Sequence, residues 1–302
     1  MMPSMDAIVA AARAGGMEVR ENVPLRTMTT FKIGGNAQVV LLPRNEAQAV
    51  RAVTACHRAG VRPLVLGNGS NVLFPDDGYS GVILHLEGDF ATLSVEGETI
   101  RCGAGVGLSR LCMFALENSL TGLEFAYGIP GSAGGGAFMN AGAYGGEMKD
   151  VIVSCRHVTP EGTIEELSGD ALAFGYRDSV YKHNGCMITA ITLRLKRGDQ
   201  TAIKAKMEEL IGRRRAKQPV EYPSAGSVFK RPPDHFAGTL IEQCGLKGRR
   251  IGGAQVSEKH AGFIINTGGA TCEDVKALIR LVQDTVREHT GVSLQPEVMM
   301  IK

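Results

Sequence analysis

Two glycine-rich stretches hold the residues best suited to gripping a ligand. The shorter, GNGSN at residues 67–71, follows the apolar run VRPLVLG and would present successive backbone N–H groups at the end of a strand. That geometry makes a nest for anions, phosphates among them. The longer, GIPGSAGGGAFMNAGAYGG at residues 128–146, is too dense in glycine for a helix and too apolar for an ordinary solvated linker. Glycine serves where φ must be positive or where another group approaches the backbone with no side chain between, and it costs conformational entropy each time. A flexible hinge is the bland alternative, but hinges are rich in Gly and Ser without apolar partners, whereas Phe138, Met139 and Tyr144 interrupt this run. By itself GNGSN would pass for a plain turn. Neither loop is a standard nucleotide signature: G-x-x-x-x-G-K-[ST] is absent, and Val72 stands where the dinucleotide fingerprint needs its third glycine.

Other chemistry is less well provided for. Cys56, Cys102, Cys112, Cys155, Cys186, Cys244 and Cys272 are odd in number and scattered, which suits reduced thiols in a cytoplasmic protein. The histidines are equally dispersed and show no metal-ligand spacing, so no metal is expected. A net charge of +2 gives no polyanion signature, and nucleic acid is not an expected partner. The first residues lack the basic n-region and long apolar core of a signal peptide, and no later run is apolar for long enough to span a membrane. A monomer is expected.

These loops need elements to hold them. Residues 45–59 read as a helix opened by Asn45 and closed by Gly60, feeding the strand VRPLVLG. Further strands follow in GVILHL and in a hairpin turning at Glu96 and Gly97; a helix starts near Gly107, a second hairpin turns at residues 160–162, and MITAITLRLKRG is another strand. After about Gly198 a charged helix runs to Lys217, and a last helix starts at Thr271. A chain of 302 residues exceeds one hydrophobic core. The expected organisation is an N-terminal helix at 1–21, a domain at 22–197 with subdomains of about 22–80 and 81–197, and a second domain at 198–302.

LGNGSNVLF, the long glycine stretch, GYRDS, PSAGSVFK, LIEQCGLKGRRIGGAQVSEKHAGFIIN and LQPEV occur in this order. Together they resemble the UDP-N-acetylenolpyruvoylglucosamine reductase family, flavoenzymes of bacterial peptidoglycan synthesis, from about Asn22 to Ile301. The resemblance implies an α+β chain: a two-subdomain FAD-binding fold of the vanillyl-alcohol-oxidase (PCMH) type, then a C-terminal α+β substrate-binding domain. It implies noncovalent FAD, NADPH as reductant and UDP-N-acetylglucosamine enolpyruvate as substrate. Gly67, Asn68, Gly69, Ser70 and Asn71 would meet the FAD pyrophosphate, and Gly128, Ile129, Pro130, Gly131, Ser132 and Gly135 the rest of the cofactor. Covalent members of the wider fold commonly attach flavin through histidine, and this loop ends instead in Asn71. The TTFKIGG segment also matches the family's entry into the flavin domain.

Hydride delivery to an enolpyruvyl ether leaves electron density on the α-carbon and its carboxylate, which must be stabilised and then protonated. Arg177 in GYRDS matches the family's arginine, and a guanidinium can bind both carboxylate oxygens while staying charged. Ser227 in PSAGSVFK matches the proton donor, with Lys217 or Lys230 available to stabilise its alkoxide. Glu297 in LQPEV matches the remaining active-site residue. Lys217, Lys230 and Tyr144 are candidate substrate contacts, and Tyr181 is a second aromatic for the site unless it is core. Read without the resemblance, Arg177 would be a surface ion pair, Ser227 a turn residue and Glu297 a strand-edge carboxylate. The family commonly reads G-S-x-F-K-N-P, whereas Arg231 follows Lys230 here, and the short stretch between Arg177 and Ser227 matches the class without a tyrosine-bearing insertion. No second dinucleotide fingerprint is visible, so nicotinamide and substrate would use one pocket in turn. An oxygen-using flavin oxidase and a non-enzymatic binder of flavin or UDP-sugar are the competing readings.

Overall fold

Capping residues set the element boundaries. In the computed structural model, which describes residues 5–302, Asn45 Oδ1 accepts from Gln48 N at 3.0 Å and opens the helix Glu46–Arg58, while Gly60, at φ +66°, ends it. At the other end of the chain Thr271 and Asp274 form a reciprocal capping box on the helix Cys272–Thr290, stopped by Gly291 at φ +73°. The N-terminal helix runs Met5–Ala14, and a strand, Glu18–Pro24, begins four residues later. Residues 1–4 of the expected N-terminal segment lie outside the described residues.

The chain divides into two units. The first takes the residues up to Val23, Gln38–Asn68 and Ser80–Gly212. It holds most of a four-stranded sheet in the order Glu18–Pro24, Asn36–Leu42, Tyr79–Leu84, Leu64–Val65. Ile8 and Ala12 of the first helix and Ala49, Ala52 and Val53 of the second bury against Val39, Leu41, Val82 and Leu84 of that sheet. It also holds an antiparallel five-stranded sheet in the order Ile164–Ser168, Ile152–Val158, Met187–Arg194, Thr99–Gly103, Leu93–Glu96. Gly97 at φ +58° and Gly162 at φ +95° make its two expected hairpin turns. The helices Leu108–Glu117 and Ala133–Phe138 cover it through Leu108, Leu111, Ala133 and Ala137.

The second unit takes Pro24–Ala37, Gly69–Tyr79 and Arg213–Lys302. An antiparallel sheet ordered Ser224–Ser227, Phe263–Asn266, Ala254–Val256, Arg250–Ile251 packs under the helix Cys272–Thr290 through Val275, Leu278, Ile279 and Val282. Phe31, Ile33 and Leu73 belong to this core. Buried Asn266 donates to the Phe31 carbonyl at 3.1 Å, and Met299–Met300 pairs in parallel with Val72–Leu73. Two early segments therefore fold with the C-terminal residues, although both fall inside 22–197 in sequence order.

One ion pair in the first unit has a measurable signature. Arg156 donates to Glu46 from Nε at 2.6 Å and from Nη2 at 3.0 Å, and Thr189 Oγ1 adds a bond at 3.2 Å. The Arg156 hydrogen bond is the main reason the Glu46 carboxyl lies below its ordinary value of 4.5, against the opposing push of burial. A depressed native pKa means that the stabilisation is fully present above that ordinary value and is lost as pH falls through the native one. Glu46→Gln should therefore cost about 0.5–1 kcal/mol at neutral pH, a third of each side chain being exposed to screening solvent. The difference from wild type should shrink on acidification, which thermal melts at neutral and at strongly acidic pH would read.

The seven cysteines are free thiols. Burial pushes Cys56 up to about 11 and Cys102 up to about 12, so both are inert at neutral pH. No helix among the described residues is long and apolar enough to cross a membrane.

Candidate active site

Within the first unit Gly67 and Asn68, the start of the shorter glycine stretch, meet the longer one. Asn68 Nδ2 donates to the Pro130 carbonyl at 3.2 Å, and a Cβ on Gly67 would strike Ser132 Oγ. Glycine at 67 is what allows this approach. Gly69, at φ +60°, is pressed on Met28 and Thr29, where a Cβ would strike the Met28 carbonyl oxygen and lie 2.8 Å from Thr29 Cα.

Among the described residues the N–H groups of Gly67, Asn68, Gly69 and Ser70 donate to no backbone or side-chain acceptor. The same is true of Gly128, Gly131 and Ser132. Gly69 and Ser132 are buried, and buried amides are nearly always paired. In the first unit the unsatisfied donors of Gly67 and Asn68 adjoin those of Gly128, Gly131 and Ser132, and together they fit a ligand rich in anionic oxygens, as the FAD pyrophosphate is.

Dense glycine does not exclude a helix here, contrary to expectation: Ala133–Phe138 is helical, with Ser132 Oγ capping Gly135 N at 3.2 Å. The glycines let this helix lie close to its sheet. A Cβ on Gly134 would come within 2.8 Å of Ala104 Cβ, and Gly134 N bonds the Ala104 carbonyl at 2.9 Å. Gly135 remains exposed, with its amide committed to Ser132.

Ser227 and Glu297 come together in the second unit. Ser227 ends the strand Ser224–Ser227, whose pairing with Phe263–Asn266 slips between Ser224 and Ser227, and Gly226 takes φ +75° in the slip. A bulge of this kind re-aims the following side chain. Ser227 is thus a bulged strand residue rather than a turn residue, and its hydroxyl donates to the Phe229 carbonyl at 3.2 Å. Glu297 N donates to the Val228 carbonyl at 2.7 Å, and Asn71 Nδ2 donates to the Glu297 carbonyl at 3.3 Å. The end of the GNGSN loop, the serine strand and the glutamate therefore share one hydrogen-bonded framework. Lys230 N is bonded to the Gln295 carbonyl at 2.9 Å beside them, and Lys217 ends the helix Gln200–Lys217, exposed.

Arg177 belongs to the first unit. Its Nη2 donates to the Gly142 carbonyl at 3.0 Å, and its guanidinium stands 5.0 Å from the centre of the Tyr176 ring. Tyr144, 39% exposed at φ +53°, lies in the hairpin that supplies Gly142. Tyr181 is core: it is 1% exposed and its hydroxyl bonds the Cys155 carbonyl at 3.2 Å and His157 Nδ1 at 3.1 Å.

A family model for the UDP-N-acetylenolpyruvoylglucosamine reductase C-terminal domain matches residues 218–301, and one for an FAD-binding domain matches 37–168. The UDP-N-acetylenolpyruvoylglucosamine reductase of Streptococcus pneumoniae strain Hungary19A-6 is 46% identical to this chain over 286 residues, 95% of each protein. The chain belongs to the UDP-N-acetylenolpyruvoylglucosamine reductase family. A relative from S. pneumoniae strain ATCC 700669 / Spain 23F-1 has the same identity over 95% of this chain and 90% of its own. The crystal structure of a reductase of this family (MurB) from Thermus caldophilus superposes with a TM-score of 0.82 at 34% identity, covering 95% of this chain and 99% of the other. A variant of Physcomitrella patens BBE-like 1 shares the fold over 63% of this chain and 44% of its own, with a TM-score of 0.50 at 19% identity. As a member of the reductase family, the protein is an α+β oxidoreductase with an FAD-binding domain of the PCMH type and a C-terminal domain specific to that family.

Proposed function

We propose that this protein reduces the enolpyruvyl ether of UDP-N-acetylglucosamine enolpyruvate to the lactyl ether, giving UDP-N-acetylmuramate, with noncovalent FAD as cofactor and NADPH as reductant. The bond from Glu297 N to the carbonyl of Val228, the residue after Ser227, in a chain of this reductase family, carries the reading. When bound, FAD would supply the hydride chemistry that links NADPH to the β-carbon of the enolpyruvyl group.

The chain's own residues do the rest. Amides of residues 67–70 and of Gly128, Gly131 and Ser132 hold the cofactor's anionic oxygens, and Asn71, Ile129, Pro130 and Gly135 line it. Arg177 binds the enolpyruvyl carboxylate through a planar fork and neutralises the charge that develops there. Ser227 gives its hydroxyl proton to the α-carbon, turning from the Phe229 carbonyl to do so. Glu297 acts with Arg177 in polarising the carboxylate, and Lys217 or Lys230 steadies the alkoxide. Lys217, Lys230 and Tyr144 contact the UDP-sugar. In this reading residues 22–197 bind flavin and also supply Arg177 and Tyr144 to the substrate, residues 198–302 supply the remaining substrate contacts, and the protein works as a cytoplasmic monomer, which light scattering would report near 32.1 kDa.

The test is the visible spectrum of the purified protein without oxygen. A yellow protein should bleach with NADPH and regain its colour with UDP-N-acetylglucosamine enolpyruvate. Bleaching without recovery, or rapid recovery with air alone, would favour an oxidase. A protein that neither carries nor takes up FAD would defeat the reading.

A further inference from the structure

Arg177 sits at φ +55°, a left-handed conformation that side chains other than Gly, Asn and Asp seldom adopt. Its turn is closed by two reciprocal bonds, Gly175 N to the Asp178 carbonyl at 3.0 Å and Asp178 N to the Gly175 carbonyl at 3.2 Å. Such a backbone persists only where its surroundings over-determine it. Here three side-chain bonds tie the turn to the end of the helix Ala133–Phe138 and the segment after it. Ser179 Oγ donates to the Phe138 carbonyl at 2.8 Å, Asn140 Nδ2 donates to the Gly175 carbonyl at 2.8 Å, and Arg177 itself reaches the Gly142 carbonyl. On the other side Lys182 Nζ donates to the Arg177 carbonyl at 3.0 Å.

Asn140 is the hub of these contacts. It is fully buried and itself left-handed, at φ +41°, which asparagine tolerates better than most residues. Its Oδ1 accepts from Lys149 N at 2.9 Å, and its Nδ2 donates to Glu147 Oε2 at 3.1 Å as well as to Gly175. Glu147 is ionised: its bond to Lys149 holds its carboxyl below the usual range, and the Arg177 charge acts in the same direction.

We propose that Asn140 is a positioning residue for Arg177. It pins the carbonyl at which the arginine turn begins, and it keeps the Glu147 carboxylate in the field of the guanidinium, so that the fork is aimed before substrate arrives. The proposal rests on the reading of Arg177 as the clamp on the enolpyruvyl carboxylate. An amide is required because one nitrogen must donate to two oxygens. An aspartate of the same shape would still accept from Lys149 N, but it would donate to neither oxygen and would face the charge of Glu147.

The experiment compares wild type, Asn140→Asp, Arg177→Ala and the double variant as FAD-loaded enzymes, with each half-reaction followed by stopped-flow absorbance. Asn140→Asp should keep its FAD and its reduction by NADPH. Its reoxidation by UDP-N-acetylglucosamine enolpyruvate should slow by about 10²-fold, the penalty of a misaimed contact. The double variant should reoxidise no more slowly than Arg177→Ala alone, since a positioning residue has nothing left to position. Losses that multiply in the double variant, or equal loss of both half-reactions, would overturn the proposal. Should Asn140→Asp not hold FAD, Asn140→Ala, which brings no charge, takes its place, and failure of both to hold FAD assigns Asn140 a structural role instead. Wild-type reoxidation by Arg177→Ala would overturn the clamp reading itself and the positioning role with it, a result distinct from a silent Asn140→Asp.

Discussion

Ser227→Ala should leave the reduction of bound FAD by NADPH near its wild-type rate while slowing reoxidation by the enolpyruvyl substrate by about 10²–10⁴-fold, the range that a positioned general acid contributes. The two half-reactions ask different things of the serine. Hydride arrival at the flavin involves no proton from Ser227, whereas completion of the lactyl product requires one at the α-carbon. The change is small enough to leave the fold alone. Among the described residues Ser227 Oγ makes one hydrogen bond, to the Phe229 carbonyl two residues on, and the bulge that aims it is set by Gly226 and by the bond from Val228 N to the Gly262 carbonyl. Equal slowing of both half-reactions would instead mean that the substitution disturbs the cofactor, and the proton-donor role would fail. Stopped-flow absorbance of the flavin separates the two outcomes.

The bulge shows which parts of the site sequence can announce. Gly226 stands beside Ser227 in plain view, but a glycine next to a serine reads equally as a turn. Only the pairing with Phe263–Asn266, some forty residues later, makes it a slip in a strand. Local chemistry is legible for the same reason that it is local: Asn45 and Gly60 frame the helix Glu46–Arg58, and Gly97 and Gly162 make hairpins that need no distant partner. The helix Ala133–Phe138 lies at the other extreme. The helix contradicts its own composition because close packing on Ala104 outweighs the entropy that its glycines lose.

Long-range grouping leaves no periodic trace at all. Phe31 and Leu73 carry nothing in their neighbourhoods to say that they belong with Val275 and Ile279, yet all four share a core, and bonds such as Met299 N to the Asn71 carbonyl fix the arrangement. Asn140 is silent in sequence for a related reason. Within MNAGAYGG it reads as one more turn residue, and its significance comes from Gly175, thirty-five residues away. The glycine loops are readable because each glycine reports a local demand. Their acceptor-free amides are not, since whether an N–H is already used depends on what the rest of the chain offers it.

That difference makes Gly69 the most informative single glycine to replace. Its φ of +60° strains any other residue except asparagine or aspartate, and a Cβ there would be driven into the Met28 carbonyl oxygen and Thr29 Cα, backbone atoms that have no rotamer to escape through. Thr30 N is bonded to the Gly69 carbonyl at 3.2 Å, so the neighbouring segment cannot retreat without breaking that bond. Gly69→Ala should therefore cost about 1–3 kcal/mol of stability from backbone strain. It should also turn the amides of residues 67–70 away from their common ligand, weakening FAD binding by about 10²-fold or more, because each charge-assisted bond lost in a nest is worth some 1.5–3 kcal/mol. Gly60→Ala is the control: Gly60 also has positive φ, at +66°, but a Cβ there meets nothing within 4 Å. Its stability should fall for the same strain while FAD affinity, read by fluorescence titration of the apoprotein, stays at the wild-type value. Equal affinities for FAD in wild type and Gly69→Ala would mean that the cofactor's phosphates lie elsewhere, and the case for residues 67–70 as their nest would fall.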